Sequence, residues 1–144
     1  MDVDLRATFR DLVRLETELW NRVDARIAAD HGLPLSWLEI MDVVATTPGA
    51  RVLDVAEALR ITVGGTSKVV DKLQAAGWVR RRPNPDDGRS SLLELTRNGE
   101  RLRRAADATL GAELAARLGS AGPAVDLARL AADLRRLRAH LSEH

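Results

Sequence analysis

The side chains best suited to chemistry in this chain are hydrogen-bond donors and cations, and they sit close together. Ser67, Lys68 and Lys72 share one stretch with helical spacing. Arg80, Arg81 and Arg82 follow, and Arg89 closes the polar loop Pro83-Asn84-Pro85-Asp86-Asp87-Gly88-Arg89. Hydroxyl and ammonium groups can bond base edges, and guanidinium groups fork onto phosphates, so this set suits recognition of a polyanion. Bond-breaking chemistry lacks its usual parts. His31, His140 and His144 are scattered with no i, i+4 pair for a metal. There is no G-x-S-x-G, no P-loop and no dinucleotide fingerprint. Asp86 and Asp87 are adjacent on a turn, not paired across a cleft for acid–base work. The expectation is no enzyme, no catalytic residue, no metal and no cofactor.

Charge supports the polyanion reading once it is divided along the chain. Arg60 to Arg104 holds eleven Lys/Arg against five Asp/Glu, a balance of +6, while the rest holds eleven against sixteen, a balance of −5; together they make the net +1. A basic segment on an acidic body is an electrostatic footprint for nucleic acid, although a solvated charged surface would look the same.

The elements that position these groups are mostly helices. Leu5, Phe9, Leu12, Leu19, Trp20, Val23 and Ile27 recur at helical spacing and predict a long helix from Asp4 to Ala29, stopped by His31-Gly32-Leu33-Pro34. Ser36-Trp37-Leu38-Glu39 has capping-box form and predicts the start of a second helix running to about Thr46, with Trp37, Met41 and Val44 inward. A short helix over about Val52 to Leu59 is joined by about three residues to one that Thr62 caps, forming a helix-turn-helix up to Ala76. On that second helix Thr66, Val69, Val70 and Leu73 share the apolar face. Gly64, Gly65, Ser67, Lys68, Asp71 and Lys72 share the open one. Adjacent glycines in a first turn cost roughly 1 kcal/mol each in helix propensity, which fits either a loose turn or close approach to a ligand.

Trp78 to Arg82 and Ser90 to Leu95 are predicted strands around the Pro/Asp/Gly loop, a hairpin beside the helix. Arg80, Arg81 and Arg82 cannot all face one way, because strand side chains alternate; one is expected to partner Asp71. Thr96 caps a predicted helix from Arg97 to about Leu118, Gly119 to Pro123 breaks it, and a last helix covers about Ala124 to Leu141. Leu127, Leu130, Leu134, Leu137 and Leu141 are spaced 3, 4, 3, 4 and make one stripe. Such a stripe packs inside its own chain in many proteins. Here the amphipathic first and fifth helices also lack a covering domain, so both ends are expected to build a homodimer. Its interface would include Leu5, Phe9, Leu12, Leu127, Leu130, Leu134, Leu137 and Leu141, and its two reading helices would sit about one helical turn (~10 bp) apart.

The 144 residues, 45% hydrophobic and 30% charged, suit one helix-rich globular domain. No run of about 18 apolar residues is present, and the acidic start MDVDLRATFR does not resemble a secretory signal. The absence of cysteine is compatible with a reducing cytoplasm and argues against peroxide sensing through a thiol. The expected location is the cytoplasm, on the nucleoid.

The order of elements and the run from Leu59 to Thr96 resemble the MarR family of bacterial transcriptional regulators. Asp87-Gly88-Arg89 followed by Leu95-Thr96 matches that family's D-x-R…L-T wing signature. Val70-Asp71-Lys72-Leu73 with Gly77-Trp78-Val79 matches the end of its recognition helix and the start of its wing. The resemblance covers nearly the whole chain and implies a mainly α fold. A winged helix-turn-helix over about 34–98 would be flanked by dimerisation helices over about 4–30 and 99–141, with a small β-hairpin wing.

It further implies a homodimeric regulator, more often repressor than activator, on a pseudo-palindromic operator in double-stranded DNA. Thr62, Val63, Gly64, Gly65, Ser67 and Lys68 then occupy major-groove positions and Lys72 meets the backbone. In the wing, Arg80 and Arg82 meet phosphates, Arg89 enters the minor groove, and Asp87 orients the tip or simply caps a turn. Gly64 and Gly65 depart from the larger polar residues of many relatives, which leaves the operator open. Many members are relieved by small aromatic or phenolic ligands. Trp20, His31, Trp37 and Met41 are the candidate lining for such an effector, although tryptophans at this spacing also suit a core and His31 a helix end. The competing reading is a dimeric interaction module of the same fold that no longer binds DNA.

Overall fold

A computed structural model describes residues 2–143; His144 lies outside them. Among these residues the order is α1 (Leu5–His31), α2 (Leu35–Thr46), α3 (Val52–Leu59), α4 (Val63–Ala75), β1 (Val79–Pro83), β2 (Ser91–Leu95), α5 (Arg97–Leu118), a 3-10 segment (Gly119–Ala124) and α6 (Leu127–Ser142). The chain is mainly helical with a single two-stranded antiparallel hairpin, as the sequence predicts. No described helix is long and apolar enough to cross a membrane.

Local signals start and stop most helices where the sequence places them. Asp4 accepts from the amides of Arg6 and Ala7 at 3.0 and 3.1 Å, taking up unpaired N–H groups at the start of α1. Gly32, at φ +71°, ends that helix in the left-handed conformation glycine adopts freely. The predicted capping box of α2 does not form. Pro34 is the N-cap, Ser36 lies inside the first turn, and the Leu35 amide is taken by Asp24 Oδ1 of α1 at 2.8 Å. A carboxylate from a neighbouring helix has replaced the local cap, which leaves Glu39 free to face elsewhere.

The hairpin registers Val79 with Leu95, Arg81 with Leu93 and Pro83 with Ser91. Both strands begin one residue later than their predicted spans. Trp78 instead bridges elements: its amide bonds Leu73 O at the end of α4, and its carbonyl accepts from the Thr96 amide, each at 3.0 Å. Pro83 takes the terminal pair, where a missing N–H removes no interior ladder bond.

The core gathers Val23 and Ile27 of α1, Leu38 and Met41 of α2, Val55 of α3, Val70 and Leu73 of α4, Val79 and Leu93 of the hairpin, and Ala106 of α5. Burial of one such large side chain contributes roughly 1.5–3 kcal/mol, so this seam fixes α4 against the other elements. Polar pairs add register. Glu113, only 7% exposed, accepts from Arg26 of α1 at 3.3 Å and Arg117 at 2.9 Å, and Arg103 reaches Asp42 of α2 at 3.2 Å.

Glu100 near the start of α5 is bonded by Arg103 and then Arg104, which hold its carboxyl at about 2 against an ordinary 4.5. A lowered carboxyl pKa adds stability that is present above pH 4.5 and lost as pH falls toward 2. Glu100→Gln is therefore expected to flatten the acid limb of a stability–pH curve across that window. Urea midpoints that fall equally in both proteins would show that Glu100 adds nothing.

α6 begins three residues later than predicted, because Asp126 is its N-cap, accepting from the Arg129 amide at 3.0 Å. Before it, Gly122 departs from helical geometry at φ +63°. No residue of α6 is buried.

Candidate nucleic-acid interface

α4 presents a bare first turn on a firmly held base. Thr62 Oγ1 accepts from the Gly65 amide at 3.1 Å, and the buried Thr66 hydroxyl donates to Thr62 O at 2.7 Å. Behind them Val70 and Leu73 anchor the inward face, while Val63, Gly64, Gly65 and Lys68 are exposed. The two glycines differ in kind. A Cβ on Gly65 would meet Thr62 Oγ1 at 2.9 Å, so its bareness serves the cap. A Cβ on Gly64 would meet nothing within 4 Å, so no internal contact requires glycine there. Ser67 is half-buried at the edge of this face. Lys72 lies with Nζ 6.0 Å from the centre of the Trp37 ring, and Trp37 meets Trp78 edge-on at 6.4 Å. An indole face attracts an ammonium at that range, so Trp37 holds Lys72 in place.

The three consecutive arginines are each engaged. Arg81, on the inner face of β1, donates to Asp71 at 2.7 Å and to Gln74, tying the wing to α4. Arg80 and Arg82, on the outer face, share one oxygen of Glu94 at 2.8 and 3.1 Å. Arg89 differs. Among the described residues its guanidinium joins no ion pair, and its backbone amide donates to Asp87 Oδ1 at 2.9 Å. Asp87 thus acts as a turn cap that fixes the tip carrying Arg89. The arrangement is a cationic hairpin beside an uncluttered helix face, a shape that fits a duplex groove and its flanking phosphates.

The MarR family's sequence profile matches residues 31–90, from the end of α1 to the wing tip. The chain is 36% identical over 47 residues to the multiple antibiotic resistance protein MarR of Escherichia coli, a match covering 33% of each chain. The chain is thus similar to the MarR family over 60 of its 144 residues. The aligned part spans about a third of the length of that curated relative. Two solved structures share the fold at low identity. The transcriptional regulator BldR from Sulfolobus solfataricus has a TM-score of 0.85 at 18% identity, covering 97% of this chain and 99% of BldR. A MarR family regulator from Streptomyces coelicolor, in complex with DNA, has a TM-score of 0.81 at 22% identity, covering 96% of this chain and 91% of its own.

The residues expected at a dimer interface are all exposed. Leu5, Phe9 and Leu12 project from α1, and Leu127, Leu130, Leu134, Leu137 and Leu141 project from α6, rising from 36% exposed at Leu127 to 75% at Leu141. None of these five leucines is buried within its own chain.

The four residues expected to line one effector pocket are not brought together. Met41 is fully buried in the core, Trp37 is committed to Trp78 and Lys72, and His31 Nε2 lies 2.7 Å from Thr109 Oγ1 of α5. Trp20 lines a crevice between α1, α2 and α4, where Glu39 is a second lining residue. Trp20 and His31 share a face of α1 but stand three turns apart along it, and Trp37 and Met41, one turn apart on α2, are taken up by Trp78 and by the core. Glu39, Glu94 and Asp24 act at or behind these surfaces, and only the failed capping box drew attention to any of them.

Proposed function

We propose that this chain is a DNA-binding transcriptional regulator that acts as a homodimeric repressor on a pseudo-palindromic operator. The observation that carries the reading is the exposed, glycine-bare first turn of α4 beside a wing whose tip arginine has no ion partner among the described residues. In this reading Thr62, Val63, Gly64, Gly65, Ser67 and Lys68 meet base edges in the major groove, and Gly64 gives the helix backbone its clearance. Lys72, steered by Trp37, meets a phosphate. Arg80 and Arg82 exchange Glu94 for phosphates at the groove edge, and Arg89 enters the minor groove. Residues 34–98 form the DNA-reading part, and helices within 4–30 and 99–141 join two copies. Exposure of both leucine-bearing faces supports that pairing. Relief by a small aromatic effector belongs to the same reading.

The test is affinity for DNA fragments selected by the purified protein, measured across salt concentrations. Each phosphate contact should lower log K by about 0.9 per decade of salt. No salt-dependent complex with any selected fragment would favour the interaction-module reading. Arg89→Ala is expected to weaken the complex about 5- to 150-fold, in line with the roughly 1–3 kcal/mol carried by a groove arginine, with the dimer intact. Unchanged affinity would remove Arg89 from the site.

A further inference from the structure

The first turn of α4 reads Val63-Gly64-Gly65-Thr66, and it offers one side chain of any size to the exposed surface. Thr66 is buried and its hydroxyl donates to Thr62 O, while Thr62 Oγ1 accepts from the Gly65 amide. The hydroxyls nearest the turn therefore serve its cap. Val63 is 49% exposed and belongs neither to the core nor to the side chains packed against it. Leu53 of α3 and Ile61 of the interhelical turn, both exposed, line the same surface hollow. Single exposed apolar residues are ordinary, whereas a contiguous group of them marks a contact surface. Exposed Lys68 follows on the same helix, so the contact it suits is with a polyanion that carries an apolar group.

We propose that Val63 reads a thymine methyl group in each half-site, so that one base pair under the first turn of α4 is chosen by apolar contact. The inference rests on the DNA-binding reading above and names the base that this turn selects. Among the base edges in the major groove, the C5-methyl of thymine is the one apolar group. Guanine, adenine and cytosine present hydrogen-bonding atoms there, which would lose water against valine methyls and gain no bond. Valine is short, so the contact requires the helix backbone to come close. Gly64 permits that approach, since it adds no side chain beside Val63 and no internal contact requires glycine there.

The experiment uses the full chain and a duplex selected by it, with thymines replaced one position at a time by deoxyuridine, which pairs identically and lacks only the methyl group. Affinity is read by fluorescence anisotropy at fixed salt. At one position the loss should be about fourfold per half-site, the factor that burial of one such group supplies, and about fifteenfold with both half-sites changed. Val63→Ala, checked for folding by circular dichroism, should weaken the thymine duplex at least as much. It should also bind the thymine and deoxyuridine duplexes within about twofold of each other. The inference is overturned if no position responds to deoxyuridine in the wild type, or if the response survives in Val63→Ala. In either case salt-dependent binding of the unmodified duplex leaves the DNA-binding reading standing. A wild type that binds no duplex at all removes that reading and this inference with it.

Discussion

Gly99→Ala is expected to lower the melting temperature by about 10 °C, because among the glycines it is the one whose added methyl group would meet backbone. A Cβ at Gly99 would lie 1.9 Å from the carbonyl oxygen of Trp78 and 2.8 Å from its carbonyl carbon. Both obstacles are backbone, so neither can move aside by changing rotamer. That carbonyl already accepts from the Thr96 amide, and Thr96 caps α5 by accepting from the Gly99 amide at 3.0 Å while its hydroxyl donates to Gly77 O at 2.6 Å. The added methyl must therefore break the joint between α4, the wing and α5. Overpacking costs about 1–3 kcal/mol where side chains can adjust and more where they cannot, and a domain of this size loses about 3 °C per kcal/mol. Gly64→Ala is the control, since its Cβ meets nothing; helix propensity should leave it neutral or more stable by about 1 kcal/mol. Calorimetric melting of both variants decides the matter. Equal melting temperatures would mean that the Trp78–Gly99 contact is looser than it stands here.

The same joint shows what kind of information the sequence carried and what it did not. Thr62 and Thr96 were legible as caps because each meets an amide three residues on, a relation fixed by local helix geometry. The wing was legible from its Pro, Asp and Gly residues, and the leucine stripe from its spacing. The start of α2 was misread because its first amide is taken by Asp24, a partner on another helix that no local pattern announces. The arginine triplet was legible only in part. Alternation separates Arg81 from its neighbours, but the choice of Glu94 as shared partner needs the register of Arg80 with Glu94 across the hairpin. The candidate effector residues stay divided between core and crevice in the sequence for a related reason. Aromatic and thioether side chains mark apolar surroundings, and whether these are core or crevice depends on which face each residue occupies, a tertiary property.

The second large effect is expected at the opposite surface. Leu130→Glu with Leu137→Glu should convert a dimer into a folded monomer, measured by light scattering with circular dichroism as the check on folding. α6 has no buried residue, so the substitutions remove nothing from the protomer's own core. At a symmetric interface each change occurs twice. Four leucines, each worth roughly 1.5–3 kcal/mol when buried, would give way to carboxylates that lose hydration. DNA binding then separates two contributions. The α4 and wing surfaces of each protomer are untouched, so binding to a single half-site should persist at high protein concentration with about half the wild-type salt dependence. What disappears is the second binding event made intramolecular by the dimer, which is worth about 10²–10⁴ in affinity. A variant that remains dimeric would place the interface elsewhere. A monomer that kept full operator affinity would show that one copy suffices, and the leucine stripe would then need another occupant.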